Sequence, residues 1–175
     1  HVVNHLTGDV AEGETRNVLV ESARIARGNI ADLAEAKAAD LDALILPGGF
    51  GAAKNLCDFA VKGPDCDVNP DVARLIREMF AAKKPVAAVC IAPAILSKVL
   101  GADQVPHELT IGTDEGTAAA LSKMGSSHVS CPVRDFVVDK SIKLVSTPAY
   151  MLAGSISEAA EGIEKTVHAL IGLIE

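Results

Sequence analysis

The chain has 175 residues, 49% apolar and 22% charged, which is enough for a sizeable core and excludes a disordered chain. Its formal charge of −7 argues against nucleic acid or an anionic membrane as partner, because both demand a basic face. Aromatics make up 3% with no Trp, so the core is built from Ala, Val, Ile and Leu, which suits helices layered on a sheet.

Taken in order, the chain opens on His1-Val2-Val3 without the central strand that normally starts an α/β domain. The expectation is a single domain over residues 1–175 that lacks its N-terminal strand–helix segment. Asn4 to Gly13 reads as a loop. Glu14 to Arg27 reads as a helix with Val18, Ser22, Ala23, Ile25 and Ala26 on one side, stopped by Gly28. Ile30 to Asp40 reads as a short surface helix. Leu41 to Leu46 is a buried strand running into Pro47-Gly48-Gly49-Phe50-Gly51, after which Ala52 to Leu56 is helical. Cys57 to Asp67 reads as a loop.

Asn69 and Pro70 are an N-cap and a first-turn proline. They open a helix to Ala82 whose Val72, Leu75, Ile76, Met79 and Phe80 form one packed stripe. Pro85 to Val89 is a buried strand and Ile91 to Leu100 a helix. Leu109 to Gly112 reads as a strand, Thr117 to Met124 as a helix. His128 to Cys131, Phe136 to Asp139 and Lys143 to Thr147 read as strands, the last two forming a hairpin over Lys140-Ser141. Ser155 and Glu158 make a capping box for a final helix with Ile156, Ala160, Ile163, Val167, Leu170 and Ile174 on one face. Strand–helix alternation predicts a mostly parallel sheet with helices on both faces, an α/β sandwich.

Cys90 falls at the junction of a strand and a helix, with Ala88 and Ala92 two positions either side. That is the layout of a nucleophile elbow, Cys standing for Ser and Ala for Gly. A thiol there sits at the positive end of a helix dipole, which favours the thiolate. A buried structural cysteine is the alternative. Leu46 and Val89 end neighbouring strands, so the Gly48-Gly49 turn should lie beside Cys90. The amides of Gly49 and Ile91 could form an oxyanion hole, and a branched side chain at Gly49 should clash at the strand end or turn the amide away from the site. An ordinary turn is the alternative reading of Pro47-Gly48-Gly49. Cys57, Cys66, Cys90 and Cys131 form no C-x-x-C pair and no metal-like spacing with His. No metal is expected, and free thiols in a reducing compartment are the simplest account. No run approaches the ~18 apolar residues of a membrane span. No histidine is adjacent to Cys90, so no Cys-His-acid triad can be assembled.

Pro47-Gly48-Gly49-Phe50-Gly51-Ala52-Ala53-Lys54-Asn55-Leu56, Cys90-Ile91-Ala92-Pro93-Ala94, Leu109 to Thr113 and Thr147 to Met151 together resemble the ElbB-type branch of the DJ-1/PfpI superfamily. So do Asn4 to Gly8 and Glu14 to Leu19. The resemblance spans the chain. It implies a flavodoxin-like, class I glutamine amidotransferase-like fold, with Cys90 as nucleophile and the Gly49 and Ile91 amides as the oxyanion hole. Gly48, Gly51, Thr113 and Tyr150 are the expected pocket residues. The implied activity is a weak, cofactor-independent glyoxalase acting on glyoxal to give glycolate, which can reflect protein deglycation; an isoprenoid-related role is associated with the branch. A homodimer is implied, in the cytoplasm or, for a eukaryotic source, the mitochondrion. Superfamily members place an acid beside the thiol from a first strand and helix that this sequence does not contain. The alternatives are a non-catalytic thiol redox or stress sensor and a glutamine amidotransferase. The missing histidine argues against the second.

Overall fold

A computed structural model describes residues 1–174. The chain forms two units, His1–Ala36 and Lys37–Glu175. In the first, Val3 and Val10 form an antiparallel bridge. Helix α1 spans Val18–Ala26, with the Asn17 side chain accepting the Val20 amide at 3.1 Å and Arg27 closing it in the left-handed conformation. The apolar side predicted for this helix does not become buried. No α1 residue is buried, and Ile25 is 89% exposed.

The helix predicted over 30–40 is two separate turns of 3₁₀ helix, Leu33–Glu35 and Ala38–Asp40, because Ala36 and Lys37 between them are extended. In the second unit the Ala38–Asp40 turn is pinned by Glu78 and Lys84. The Ala38 amide donates to Glu78, and the Lys84 ammonium donates to the carbonyls of Ala38, Ala39 and Leu41.

Strand β1 is Leu44–Leu46, followed by one turn of helix α2 (Gly49–Gly51) that widens into a π turn over Ala52–Leu56. The stretch predicted as loop over 57–67 contains a short helix α3 (Phe59–Lys62) and a 3₁₀ turn Gly63–Asp65. Lys62 clamps this excursion, lying 2.6 Å from Asp58 and 2.8 Å from Asp67, while Asp58 accepts the Asp67 amide. Helix α4 (Pro70–Ala81) starts as predicted, the Asn69 side chain accepting the Asp71 and Val72 amides. Its Val72, Leu75, Ile76 and Met79 are buried.

Strand β2 is Val86–Val89 and helix α5 is Pro93–Ala102. They are followed by β3 (Glu108–Leu109), α6 (Glu115–Lys123), β4 (Ser127–His128), β5 (Val137–Asp139), β6 (Leu144–Thr147) and α7 (Ile156–Ile171). The main sheet has the order β1-β2-β6-β5, parallel except for the β5–β6 hairpin. All of β2 and β6 is buried, so both faces are covered. Leu170 of α7 packs with Ala87 and Val145 on one face. Side chains alternate along a strand, which leaves the other face of β2 to α4 and α5, both of which contact it.

Strands β3 and β4 form a separate parallel pair, shorter than the strands predicted over 109–112 and 128–131. The Thr110 hydroxyl takes the Gly112 amide, and Gly112 adopts φ +105, which turns the chain out of the ladder. The pair is tied to the main sheet through side chains. Ser146 Oγ accepts the Thr110 amide at 2.9 Å, and Asp139 accepts the Glu108 amide at 2.9 Å.

Asp139 is 8% exposed and also accepts the Ser141 amide and hydroxyl. Burial pushes its carboxyl up, but these hydrogen bonds outweigh that and hold it below the usual carboxylate value.

Two close backbone approaches fix the helices. A Cβ on Gly101 of α5 would lie 1.6 Å from the Met124 carbonyl oxygen. A Cβ on Gly162 of α7 would lie 2.6 Å from the Val133 carbonyl oxygen. The second contact accounts for the shift of the packed face of α7 away from the predicted one, with which it shares Leu170. The buried stripe is Ala159, Gly162, Thr166 and Leu170, whereas Ile156 is 80% exposed. Small residues let the helix approach the 133–134 backbone more closely than the isoleucine face could. Of the capping box, Ser155 Oγ accepts the Glu158 amide, and Glu158 reaches back to the Gly154 amide.

Two outcomes follow for stability. Gly101→Ala should destabilise by about 1–3 kcal/mol in urea unfolding, since α5 must move off the 124–125 backbone; an unchanged midpoint would mean the contact is not made. Asp139→Asn should cost about 1.5–3 kcal/mol at neutral pH. The folded value of this carboxyl is depressed, so its contribution is full above its unfolded pKa of ~3.9 and is lost as pH falls through the lower folded value. The gap between variant and wild type should therefore close in acid. A gap independent of pH would assign the loss to packing.

Candidate active site

The site is built where β1, β2 and β6 end. Cys90 is the first residue after β2 and adopts φ +60, a left-handed conformation that is costly for a residue with a Cβ. Its amide donates to the Thr147 carbonyl at the end of β6 (3.0 Å), while the Ala92 amide turns back to the Val89 carbonyl (3.1 Å). The chain thus reverses from strand to helix within three residues, and Pro93 opens α5 at a position that needs no amide donor. Ala88 and Ala92 are fully buried beside the turn. Cys90 is half-buried at the α5 N-terminus, whose partial positive charge favours an anion.

Parallel pairing of Leu46 with Ala88 brings the Gly48-Gly49 turn alongside. Gly48 has φ +86, and a Cβ there would lie 2.5 Å from the Val89 carbonyl oxygen, 2.9 Å from Cys90 Cβ and 3.4 Å from the Ile91 nitrogen. The steric constraint expected at Gly49 therefore belongs to Gly48. A Cβ on Gly49 would meet open space, and a substitution there is opposed only by its φ of +80. Neither the Gly49 nor the Ile91 amide makes a hydrogen bond among the described residues.

The other expected pocket residues are spread more widely. Tyr150 is 65% exposed on the 3₁₀ turn Ala149–Met151 that follows β6. Thr113 is exposed, but its neighbour Gly112 presses on Pro148 and Leu152, which brings the 110–113 segment to the same turn. Gly51 is exposed on α2, two residues beyond Gly49, with Asn55 nearby. The structure therefore brings Gly48 directly against Cys90 and Ile91, with Gly49 the next residue along the same turn, and the 110–113 segment meets the turn that carries Tyr150. The Thr147 carbonyl was not legible as a site group from sequence. The only signal for it was the strand running into Thr147-Pro148.

The other three thiols are buried, whereas Cys90 is partly exposed. Burial pushes Cys66 and Cys131 up to about 11, and pushes Cys57 up as well. Two of the five histidines, His107 and His128, are committed elsewhere. His107 bonds the Val105 carbonyl through Nδ1 and the Ser126 hydroxyl through Nε2, in a buried chain that continues to Ser97. His128 Nε2 accepts the Ile111 amide at 3.2 Å, and burial lowers its pKa. Among the described residues, no side chain hydrogen-bonds the Cys90 sulfur, and no cluster of three His, Cys, Asp or Glu side chains is placed to hold a metal. Nor is any helix long and apolar enough to cross a membrane.

The sequence profile of the DJ-1/PfpI family matches residues 23–147. The chain belongs to the DJ-1/PfpI family. It is 44% identical to the human protein named glutamine amidotransferase-like class 1 domain-containing protein 3, mitochondrial, over 99% of this chain and 66% of that one. The chain thus spans about two thirds of that relative's length. The crystal structure of an isoprenoid biosynthesis protein with amidotransferase-like domain from Ehrlichia chaffeensis superposes with a TM-score of 0.88 at 36% identity, covering 99% of this chain and 78% of that one. A glyoxalase III from Candida albicans shares the fold at a TM-score of 0.57 and 17% identity, over 82% and 61% of the two chains. The α/β architecture with a mostly parallel sheet is that of the DJ-1/PfpI family.

Exposure and burial give a direct test of the elbow. Iodoacetamide at about pH 6 should label Cys90 before Cys57, Cys66 or Cys131, as read by peptide mass spectrometry. First labelling of any other cysteine would remove the assignment.

Proposed function

We propose that this DJ-1/PfpI chain is a weak, cofactor-independent glyoxalase that converts glyoxal to glycolate. One observation supports this reading above others. A half-buried cysteine is held at positive φ at a helix N-terminus against Gly48, and the Ile91 and Gly49 amides that follow these two residues make no hydrogen bond among the described residues.

The Cys90 thiolate adds to one aldehyde carbon to form a C–S bond, and the carbonyl electron pair becomes an alkoxide. The Gly49 and Ile91 amides are the donors available for that charge. The hemithioacetal C–H proton then leaves, an enediolate forms, and a proton returns to the neighbouring carbon. The product is a hydroxyacetyl thioester. Water cleaves it to glycolate and regenerates the thiol. One carbon is oxidised and its neighbour reduced, so the sum is glyoxal plus water to glycolate plus a proton, with no external electron acceptor. The proton shift falls to solvent or to a group outside hydrogen-bond reach of the sulfur, which accords with a weak activity. Glyoxal-derived adducts on protein would present the same carbonyl chemistry.

The family resemblance supports a homodimer acting in the cytoplasm or, in a eukaryote, the mitochondrion. A thiol redox sensor is the second reading, favoured by the absence of a base on the sulfur among the described residues.

The test is glycolate production from glyoxal. Wild type should turn over, Cys90→Ser should not, and Gly49→Val should lose on the order of 10²-fold as its amide is turned from φ +80. Turnover by Cys90→Ser at the wild-type rate would sink the proposal. Oxidation of Cys90 by hydrogen peroxide in a protein that makes no glycolate would favour the sensor.

A further inference from the structure

Away from the Cys90 end, α4, α5 and the β5–β6 turn enclose a groove of about 660 Å³ at the end of the sheet where β2 and β6 begin. Its apolar lining comes from Phe80, Leu100, Val105 and Ile142. Its charged lining is Arg77, Lys83, Lys140, Lys143 and Asp103. The volume falls in the range of small-molecule sites, and an apolar lining with a few polar groups is their usual make-up.

Arg77 pairs with Asp103 and the Lys143 ammonium donates to the Leu173 carbonyl, so Lys83 and Lys140 supply two outstanding positive charges, in a chain whose formal charge is −7. Asp103 is already satisfied. Arg77 holds both its oxygens, at 2.6 and 2.9 Å, and keeps its carboxyl below the usual value. The C-termini of α4 and α5 bring partial negative charge of about one half each, which offsets roughly one of the two. The groove therefore stays positive. Lys83 and Lys140 are exposed and make no ion pair among the described residues.

The backbone adds a second, independent observation. Lys83 and Lys143 adopt φ +55 and +59. Glycine is the least costly residue at such positions. Two of the three lysines around the groove thus stand where local backbone preference opposes them.

We propose that this groove binds a small amphipathic anion, its apolar body lying on Phe80, Val105 and Ile142 and its carboxylate or phosphate head at Lys83 and Lys140. The site is separate from Cys90 and does not rest on the glyoxalase reading. Neither head group is singled out by the lining, since single ammonium groups hold both as point charges.

Isothermal titration with octanoate, octyl phosphate, octanol and inorganic phosphate tests it. Octanoate or octyl phosphate should bind; whichever binds more tightly identifies the head. Octanol and inorganic phosphate should each bind about tenfold more weakly or not at all, lacking one half of the ligand. The double variant Lys83→Glu/Lys140→Glu should lose about tenfold or more in affinity. Lys83→Gly separates charge from folding. It relieves the positive φ, so its melting temperature should not fall, yet its affinity should drop. The proposal is overturned if neither amphipathic anion binds, if octanol binds equally well, if both lysine variants keep wild-type affinity, or if only an acidic peptide such as oligoglutamate binds.

Discussion

Gly48 lies so close to the end of β2 that one added methyl would sit 2.5 Å from the Val89 carbonyl oxygen. That contact depends on the parallel pairing of β1 with β2, which in turn depends on β2 being wholly buried between β1 and β6. The elbow inherits its shape from these neighbours. Thr147 holds the Cys90 amide from one side and Gly48 crowds it from the other. A left-handed backbone at a residue with a Cβ persists only where the surroundings over-determine it, and here two adjacent strand ends do so.

The same economy of side-chain bulk recurs through the fold. With few aromatics to fill space, the helices come close to their neighbours at glycine. Gly101 meets the 124–125 backbone and Gly162 meets the Val133 carbonyl. Close packing of small side chains compensates for absent large ones because dispersion contacts fall off steeply with distance. It also makes these positions intolerant, since a methyl has nowhere to go.

Much of this was legible in the sequence where a signal was local. Asn69-Pro70 announced α4, and the small-flanked Cys90 announced the elbow, because caps and tight turns draw their hydrogen bonds from residues a few positions away. The closeness of the Gly48 turn to Cys90 followed from chain-crossing rules. Where the deciding contact was distant, the sequence misled. Periodicity placed Leu170 of α7 in the core but also chose the exposed Ile156, because Val133, in another part of the chain, draws Gly162 inward. The 30–40 stretch has helical composition, yet part of it is held open by Glu78 and Lys84, which nothing nearby in sequence reveals. The tie from Asp139 to Glu108 gave no signal either, because Glu108 sits on a separate element far back in the chain, whereas Ser141 is a local turn partner. The expected clash at Gly49 belonged one residue earlier, a distinction that only backbone coordinates can make.

The hydrogen bonding at the elbow is divided between adjacent residues. The Cys90 amide is locked to Thr147, while the next amide along, Ile91, and that of Gly49 are unbonded among the described residues. Amide deuterium uptake resolves neighbours of this kind, because a bonded proton exchanges only when its bond opens. The ratio of exchange at Cys90 to that at Ile91 is thus a native clock for the elbow. It reports how often the strand end releases the turn, with no label on the sulfur and no substrate present.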